Sequence, residues 1–471
     1  DLAGTALQLP APLRKAAEER LPADVELLLP SANGRIDLQL GELLHLRGRL
    51  AERASDFRGI AAFGVGELSE SPSQLGLEVV GSVPVLDGNG WVAATLSGLG
   101  QGAQVRRIDL SAGVLQIGGR DFSESRVQVE RQADGSGLVR FEGEALQGEL
   151  RWPQQGLDAT LTGRFNRLYW PSSDVKAAAM AADDIDPTWL PALDFDIDDA
   201  RLGDAQLGSV QLRTLRVPDG LQLEHFASRS DDLSITASGD WSRRIQGSES
   251  RFQFNFVGQD LGRMMQRLGF APLVEGGATD AIANVNWVGG PAQFQMATLE
   301  GQLQIDVKKG RVPNVEPGAG RIIGLLSLTE IPRRLTLDFS DFFSSGFAFN
   351  SIRGSFRLGG GNAMTDNLVI ESPSAQILIK GRTGLTAQDY DQTMEVLPRT
   401  NNVLPAIGAL SAGPAGAAIG AVAQAVFQKP MRQMARTLYQ VGGSWTTSEI
   451  TVLERGPRQQ RVEAAQDEMP R

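Results

Sequence analysis

Apolar and polar residues alternate along most of this 471-residue chain, and this period of two restricts its fold more than any other feature. Successive side chains of a β-strand point to opposite faces of a sheet, so alternation gathers the apolar residues on one face. The pattern is clear at 157–161, 251–256, 301–307, 335–339 and 351–358. The sequence therefore predicts a mainly β protein whose strands each have one apolar face.

Turn signals separate these strands at short intervals. Asp-Gly pairs begin at Asp87, Asp134 and Asp219, and a glycine run ending in Asn occupies 359–362. Such sequences favour tight hairpins, so we expect consecutive strands to be antiparallel. The glycine run is expected to be a hairpin as well, because it lies between two strands and is followed by no helix whose N-terminus could bind a phosphate.

Composition argues against several classes of function. The chain contains no cysteine, which removes disulfides, thiol nucleophiles and thiolate metal ligands. A formal net charge of −11, with Lys and Arg scattered along the strands, argues against nucleic acid as a partner. The two histidines, His45 and His225, are spaced neither as a metal pair nor as part of a catalytic pair. We therefore expect no enzyme activity and no cofactor.

One carboxylate cluster invites a functional hypothesis. It consists of Asp194, Asp196, Asp198 and Asp199, and carboxylates at this density could bind Ca²⁺. However, apolar residues alternate with the acids within 193–197, which favours the solvent-facing side of an ordinary strand.

The C-terminal region departs from the β pattern. Residues 403–427 are uncharged and mostly small or aliphatic, but Pro405 and Pro414 interrupt them, so they predict two short helices and not one membrane span. Pro430 suits the first position of a third helix, whose apolar stripe could lie in a headgroup layer. Alternatively, these helices plug the end of the β body. The residues predicted to dock on a membrane are Ile419, Val422, Val426, Phe427, Met431, Met434 and Leu438.

The order of these patterns predicts five parts. They are a β segment at 1–170, a loop or hinge at 171–190, a second β segment at 191–400, a helical end with a final strand at 401–445 and a disordered tail at 446–471. The hinge is predicted because the alternation is lost there, and the disordered tail is predicted because the segment is charged and rich in Gln. Because the chain begins with Asp1 and not with Met, we expect a fragment or a trimmed chain.

Six segments carry a resemblance to a known family. The most specific are VEPGAGRIIGLLSL at 315–328, IPRRLTLDF at 331–339 and GFAFNSIRG at 346–354, and the weaker ones are LPAPL at 9–13, LPALD at 190–194 and SGDW at 238–241. In these segments the chain resembles the C-terminal part of the YhdP family. This is an AsmA-like group of large Gram-negative envelope proteins to which TamB is more distantly related.

The resemblance implies an elongated, open antiparallel β-groove, a twisted sheet with an apolar interior and short C-terminal helices. It implies that phospholipid passes through this groove across the periplasm, between the inner and outer membranes. The C-terminal helices would dock at the outer membrane, where an outer-membrane protein is a further candidate partner. Contact with the inner membrane would belong to an N-terminal part outside this chain.

The alternation is compatible with such a groove, because a sheet with one apolar face must close on a second sheet or hold something apolar. Acyl chains that slide along an apolar track need no covalent chemistry. The residues expected to face the lipid are Phe252, Phe254, Phe256, Leu303, Ile305, Leu335, Leu337, Phe339, Ile352 and Phe356.

Two other classes stay open at this point. A periplasmic scaffold or outer-membrane assembly factor would have a closed, dry β core. A carbohydrate-active β-solenoid enzyme would need clustered carboxylates beside aromatic platforms, whereas the aromatic residues here alternate inward. The presence of acyl chains on the apolar face would distinguish the lipid conduit from the scaffold.

Overall fold

The protein is mainly β, as predicted. The computed structural model describes residues 2–28, 34–50, 56–64, 68, 75–96, 105–132, 134–153, 159–172, 186–245, 247–272, 274–313, 347–399, 436–445 and 447–455. The chain forms two compact units, Asp1–Ser230 with Asp240–Ser248, and Asp231–Gly239 with Glu249–Arg471. The chain passes between the units just before β14 (Leu233–Arg244), again within β14, and again near the start of the next strand, between Ser248 and Glu249.

The first unit contains strands that each pair with the next one along the chain. They are β1 (Ala23–Leu27), β2 (Arg35–Leu40), β3 (Leu44–Arg49), β4 (Arg58–Phe63), β5 (Gly76–Asp87), β6 (Val105–Ile117), β7 (Arg120–Arg131), β8 (Gly137–Glu142), β9 (Leu146–Trp152), β10 (Leu161–Trp170), β11 (Leu193–Leu202), β12 (Ala205–Val217) and β13 (Gly220–Arg229). Of the strand predicted at 157–161, residues 157 and 158 lie outside the described residues, and β10 begins only at Leu161.

Some neighbouring strands of this unit are parallel, which corrects the expectation of antiparallel pairing throughout. The parallel pairs are β4 with β5, β5 with β6 and β10 with β11. Parallel neighbours require a crossover connection, which between β10 and β11 is made by residues 171–192, of which 173–185 lie outside the described residues. The crossover after β5 contains helix α1 (Gly88–Leu96).

The Asp-Gly pair at Asp87 is the start of α1 and not the hairpin turn that its sequence predicts. The Asp87 carboxylate accepts a hydrogen bond from the backbone N–H of Gly90 at 2.8 Å, as a helix N-cap does. Because a helix follows immediately, the chain leaves the sheet here and returns in the same direction.

The second unit is antiparallel wherever its pairing is described from β15 onward. Its strands are β15 (Gly247–Gly258), β16 (Glu275–Val288), β17 (Glu300–Val312), β18 (Phe347–Gly359), β19 (Asn362–Glu371), β20 (Ala375–Gly384), β21 (Asp389–Pro398), β22 (Thr437–Gly443) and β23 (Ser448–Arg455). Helix α2 (Leu261–Arg267) connects β15 to β16. The glycine run at 359–362 is a hairpin, as predicted, with left-handed φ values of 56° at Gly360 and 73° at Gly361.

Two predictions for the C-terminal region are wrong where residues are described. Leu438, expected in a membrane helix, lies in β22, and the tail predicted at 446–471 contains β23. Both stretches alternate at period two and pair with the sheet, which overrides their local helical or disordered character. The predicted helices at 403–427 and the docking residues Ile419, Val422, Val426, Phe427, Met431 and Met434 lie outside the described residues. In the part of the chain that is described, no helix combines the length and apolar character needed to cross a membrane.

Candidate functional site

A row of apolar side chains crosses the first unit from β1 to β13. Each member is the paired residue of the member before it, so all lie on one face of the strands. This first floor row is Ala23, Leu40, Leu44, Phe63, Gly81, Leu110, Val127, Phe141, Gly148, Phe165, Ile197, Val210 and Ser228. Most of its large side chains are buried. Phe141 and Phe165 stack across Gly148, with ring centroids 6.5 Å apart, because the glycine between them has no side chain.

A second row runs beside the first on the same face. This rim row is Val25, Leu38, Leu46, Ala61, Val79, Ile108, Val129, Val139, Leu150, Gly163, Phe195, Leu212 and Phe226. Most of its side chains are only half-buried, and Val25 on the edge strand is 63% exposed. The first unit therefore has a mostly apolar strip with a buried floor and an accessible rim.

Aromatic residues close one end of this strip. The ring of Phe122 meets the ring of Trp170 edge to face at 5.7 Å, although the two residues lie on β7 and β10. On α1, Trp91 packs against the same core and donates a hydrogen bond from its indole Nε1 to the backbone oxygen of Ala11 at 2.8 Å. The N-terminal segment and α1 thus cover the strand ends, while the rim row stays accessible.

The second unit has its own apolar row, which crosses from β15 to β22. This second floor row is Gly258, Thr279, Val307, Ile352, Ile370, Ile377, Val396 and Thr437. Val307 and Val396 are each only 1% exposed. The buried floor therefore recurs in the second unit, built from β-branched side chains that pack well on a pleated surface.

The structure brings together all of the predicted lipid-facing residues that it describes, on the face of this second floor row. Ile352 belongs to the row itself. The next positions along the strands carry Phe256 and Ile305 on either side of Ala281, then Phe254, Leu303 and Phe356 beside Ala283, and then Phe252. The phenylalanines of β15 are half-buried. Leu335, Leu337 and Phe339 lie outside the described residues.

Five aromatic rings form a continuous series on this face. They run from Phe294 through Trp287, Phe252 and Phe254 to Phe256, with successive centroids 5.3, 5.6, 5.8 and 6.1 Å apart. The indole Nε1 of Trp287 donates to the backbone oxygen of Gly290 at 3.0 Å, so burial leaves no polar atom of this side chain unsatisfied. The series gives the face a rigid, apolar wall along β15.

The opposite face of the same strands is polar. In the second unit, Gln253, Asn284, Gln302 and Arg357 are paired in sequence across β15 to β18. In the first unit, Asp109 accepts a hydrogen bond from Arg126 at 2.7 Å. That hydrogen bond is the main reason why the pKa of Asp109 lies below its ordinary value, although burial opposes the shift. Such pairs hold charged and polar side chains on the face opposite the apolar rows.

The aspartate cluster belongs to this polar face, as predicted. Asp196 lies 2.9 Å from Arg164, and Asp194 lies 3.4 Å from Arg213, so both carboxylates are paired with arginines of neighbouring strands. Asp199 accepts a hydrogen bond from the hydroxyl of Tyr169. The described residues contain no group of three or more His, Asp and Glu side chains arranged to hold a metal ion.

The histidines have no arrangement that suggests catalysis. His45 Nε2 lies 2.6 Å from Asp37 Oδ1, and the same carboxylate accepts a hydrogen bond from Arg47 Nε at 2.7 Å. Burial alone would raise the pKa of Asp37, but hydrogen bonds from Arg47, His45 and Arg35 lower it well below its usual range. His225 is exposed on β13. His45 is therefore part of a paired polar cluster on the polar face.

Sequence reasoning missed the apolar rows of the first unit. Phe63, Leu110, Phe141 and Phe165 were not among the residues predicted to face a ligand, although Leu161, Gly163 and Phe165 alternate as clearly as the residues chosen in the second unit. A strand-by-strand reading of that alternation identifies the face, but only the observed register joins its members into one row.

Comparison with known proteins gives two matches. The family model described as YhdP protein matches residues 1–450. The intermembrane phospholipid transporter YhdP of Escherichia coli (strain K12) is 23% identical over 500 residues, which cover 98% of this chain and 37% of that relative. The chain thus spans little more than a third of the relative's length. No solved structure matches the chain.

Proposed function

The chain belongs to the YhdP family, and from this membership we propose that its apolar rows bind the acyl chains of phospholipid and form part of a route between the inner and outer membranes. The observation that carries the proposal is that paired residues of successive strands form rows on one face of each unit, which are mostly apolar with a few glycines and hydroxyl residues among them. The E. coli relative is an intermembrane phospholipid transporter by name, which supports phospholipid as the cargo.

The accessible rim is what a sliding ligand requires. Burial of apolar surface stabilises a bound chain by about 0.8 kcal/mol per methylene group, without any directional contact. Successive members of the rim row, such as Val129, Val139 and Leu150, are similar in size and burial. Moving an acyl chain along by one strand therefore exchanges one set of contacts for an equivalent set. We infer that no single position traps the lipid.

The position of the half-buried rim row also allows the phospholipid headgroup to stay in water. A phospholipid whose tails lie on the rim row keeps its phosphate in water, because the row borders solvent. The charged phosphate is then not buried, so the free-energy cost of burying an unpaired ion, several kcal/mol, does not arise. The proposed transport therefore needs neither a cofactor nor a catalytic group.

We propose further that one strand end of the second unit docks at the outer membrane from the periplasm. The two long connections of this unit leave from that end, because Val312 is paired with Phe347 and Val396 is paired with Thr437. The uncharged segment 403–427 lies in the second connection. The docking residues proposed from the sequence, Ile419 to Met434, are tethered to the same end, with an outer-membrane protein as a further candidate partner. Contact with the inner membrane is proposed for parts of the longer relative that this chain does not cover.

Lipid analysis of the purified chain tests the proposal. Phospholipid should co-purify with the protein and should be released by organic solvent, because the accessible apolar rows would otherwise face water. Protein that is folded and free of lipid, and that takes up none from vesicles, would instead support the scaffold with a dry core.

A further inference from the structure

Among the described residues, Lys15 is the only charged residue that is buried. Only 5% of it is exposed, and the other buried polar residues of the described chain are serines and threonines. Lysine is almost never fully buried unless its charge has a partner. The surroundings of Lys15 must therefore explain why its charge is held away from water.

The ammonium group of Lys15 has only neutral partners. Its Nζ donates to the backbone oxygens of Thr5 and Ala16, at 2.8 Å in each case. Within the described part of the chain, no carboxylate forms an ion pair with it. Carbonyl oxygens accept hydrogen bonds but carry no net charge, so the charge of Lys15 is not neutralised. Burying an uncompensated charge destabilises a fold.

The two carbonyl oxygens also do not use all the donors of Lys15. An ammonium group has three N–H bonds, and these acceptors account for two of them. A buried donor without an acceptor is unfavourable. A bound anion would satisfy the third N–H bond and neutralise the charge at the same time.

A cavity beside Lys15 has room for such an anion. This N-terminal cavity has a volume of about 570 Å³, and its lining includes Lys15 and the exposed polar side chains of Gln8, Arg14 and Glu19. The backbones of Leu7 and Lys15 exchange two hydrogen bonds, at 2.9 and 3.1 Å. These bonds hold Lys15 in the wall of the cavity.

The N-terminal cavity contains a second cation, and the carboxylate in its lining is already hydrogen-bonded. Arg14 lies 3.5 Å from Asp87 with its side chain 70% exposed, and such an exposed ion pair is weak. Glu19 accepts a hydrogen bond from the backbone N–H of Ala16 at 3.2 Å. The guanidinium group of Arg14 is therefore free to turn towards an oxyanion beside Lys15.

We propose that the N-terminal cavity is a binding site for a phosphate group, which the ammonium group of Lys15 and the guanidinium group of Arg14 bind together. Phosphate suits this pair because its several oxygens accept hydrogen bonds from both cations, and arginine binds phosphate with two parallel bonds. The phosphate group belongs either to a lipid headgroup or to a free phosphate ion. The inference goes beyond the proposed route and does not depend on the apolar rows, because none of their members lines this cavity.

Calorimetric titration of the full chain with inorganic phosphate, at constant ionic strength, tests the site. Lys15→Met removes the charge and keeps the length of the side chain. It should weaken phosphate binding at least about tenfold, because a hydrogen bond from a charged group is lost. Arg14→Gln should weaken binding roughly fivefold, as expected for an exposed ion contact. The matched control is Arg20→Gln, an exposed arginine of the same segment that does not line the cavity, and it should bind like the wild type.

Three results would overturn the inference. If the wild type binds no phosphate, or if Lys15→Met binds it as tightly as the wild type, Lys15 only holds the carbonyl groups of Thr5 and Ala16 together. If Arg14→Gln and Arg20→Gln lose binding equally, phosphate responds to net charge and not to this site. Should circular dichroism show that Lys15→Met does not fold, the comparison of the two glutamine variants decides the question.

A titration with short-chain phosphatidylglycerol, below its critical micelle concentration, identifies the source of the phosphate group. A loss of at least about tenfold in Lys15→Met would assign the site to a lipid headgroup. An unchanged affinity for the lipid, beside a loss for inorganic phosphate, would assign it to free phosphate. A wild type that carries no phospholipid but binds inorganic phosphate through Lys15 would reject the proposed route and support this site, so the two failures are distinguishable.

Discussion

The floor rows contain hydroxyl side chains whose protons are not available to a ligand. The hydroxyl of Ser228 donates to the backbone oxygen of Leu207 at 2.6 Å, and that of Thr279 donates to the backbone oxygen of Gly277 at 2.9 Å. Each hydroxyl proton is therefore already bound within the protein. The rows contain no ionised side chain. A charged residue introduced into a row by substitution would therefore have no oppositely charged partner within it.

A charge on the apolar face should block lipid movement. We expect Ile305→Asp to reduce phospholipid transfer at least tenfold, because a carboxylate would have to be passed by each acyl chain and an unpaired buried ion costs several kcal/mol. Gln304→Asp, on the opposite face of the same strand, should leave transfer nearly unchanged. Transfer between labelled donor and acceptor vesicles measures both variants, with circular dichroism to show that each is folded. Equal rates would place the route elsewhere.

The pairing of Asp109 with Arg126 predicts a dependence of stability on pH. Because this hydrogen bond lowers the pKa of folded Asp109 below its ordinary value of 3.8, the ionised carboxylate stabilises the fold above that pH. This contribution is lost as the pH falls through the folded-state pKa. We expect Asp109→Asn to cost about 1 kcal/mol at pH 7 and less at acid pH. Urea unfolding at pH 7 and pH 3 measures the difference, and an equal loss at both values would contradict the role of the charge.

Strand periodicity was predictable at the scale of the element, whereas strand connection was not. The alternation at 251–256 and 301–307 correctly assigns the apolar face of β15 and β17, because a period of two is fixed by backbone geometry. One parallel pair, β5 with β6, was missed because Asp87 with the following glycine is equally suited to a hairpin turn and to a helix N-cap. The rows were also beyond prediction, since register depends on pairs of strands and not on one strand.

At particular glycines, neighbouring strands approach so closely that there is no room for a side chain. Gly301 has a φ of +142°, and a Cβ added there would collide with the backbone oxygen of Asn284 on β16. Gly359, at the end of β18, would place its Cβ in open space and has no left-handed φ. We expect Gly301→Ala to lower the free energy of unfolding by about 2 kcal/mol and Gly359→Ala by less than about 0.5 kcal/mol. Denaturant titration compares the two, and similar small losses would show that β17 can shift to accept the methyl group.

At the scale of the whole molecule, the proposed transport needs two features in one chain, an apolar route and a segment that reaches a membrane. Each unit supplies its own rows. Membrane contact is proposed for the connection between β21 and β22, which starts and ends on neighbouring strands. Because Val396 and Thr437 are paired, a short linker can replace this connection without separating the strands. The membrane contact can therefore be removed while β22 and β23 stay in place.

Replacing residues 403–435 by a short Gly-Ser linker should abolish vesicle binding and leave the unfolding transition of the β units nearly unchanged. Burial of a large apolar side chain contributes roughly 1.5 kcal/mol or more, so the loss of the whole segment should remove most of the affinity. Flotation with vesicles and thermal unfolding measure the two effects. If binding persists and the β units unfold, the segment is a plug for the core, which is the alternative that the sequence leaves open.

Photo-crosslinking in cells tests the central claim most directly, because it asks whether lipid lies on the predicted face. A photoreactive residue at Phe254, among the half-buried aromatic rings, should capture phospholipid, whereas the same residue at Gln253, exposed on the opposite face, should not. Mass spectrometry of the crosslinked protein identifies the adduct. Phospholipid adducts at 254 and none at 253 are the result that the account predicts. Adducts of protein alone at 254, or equal capture of lipid at both positions, would contradict it.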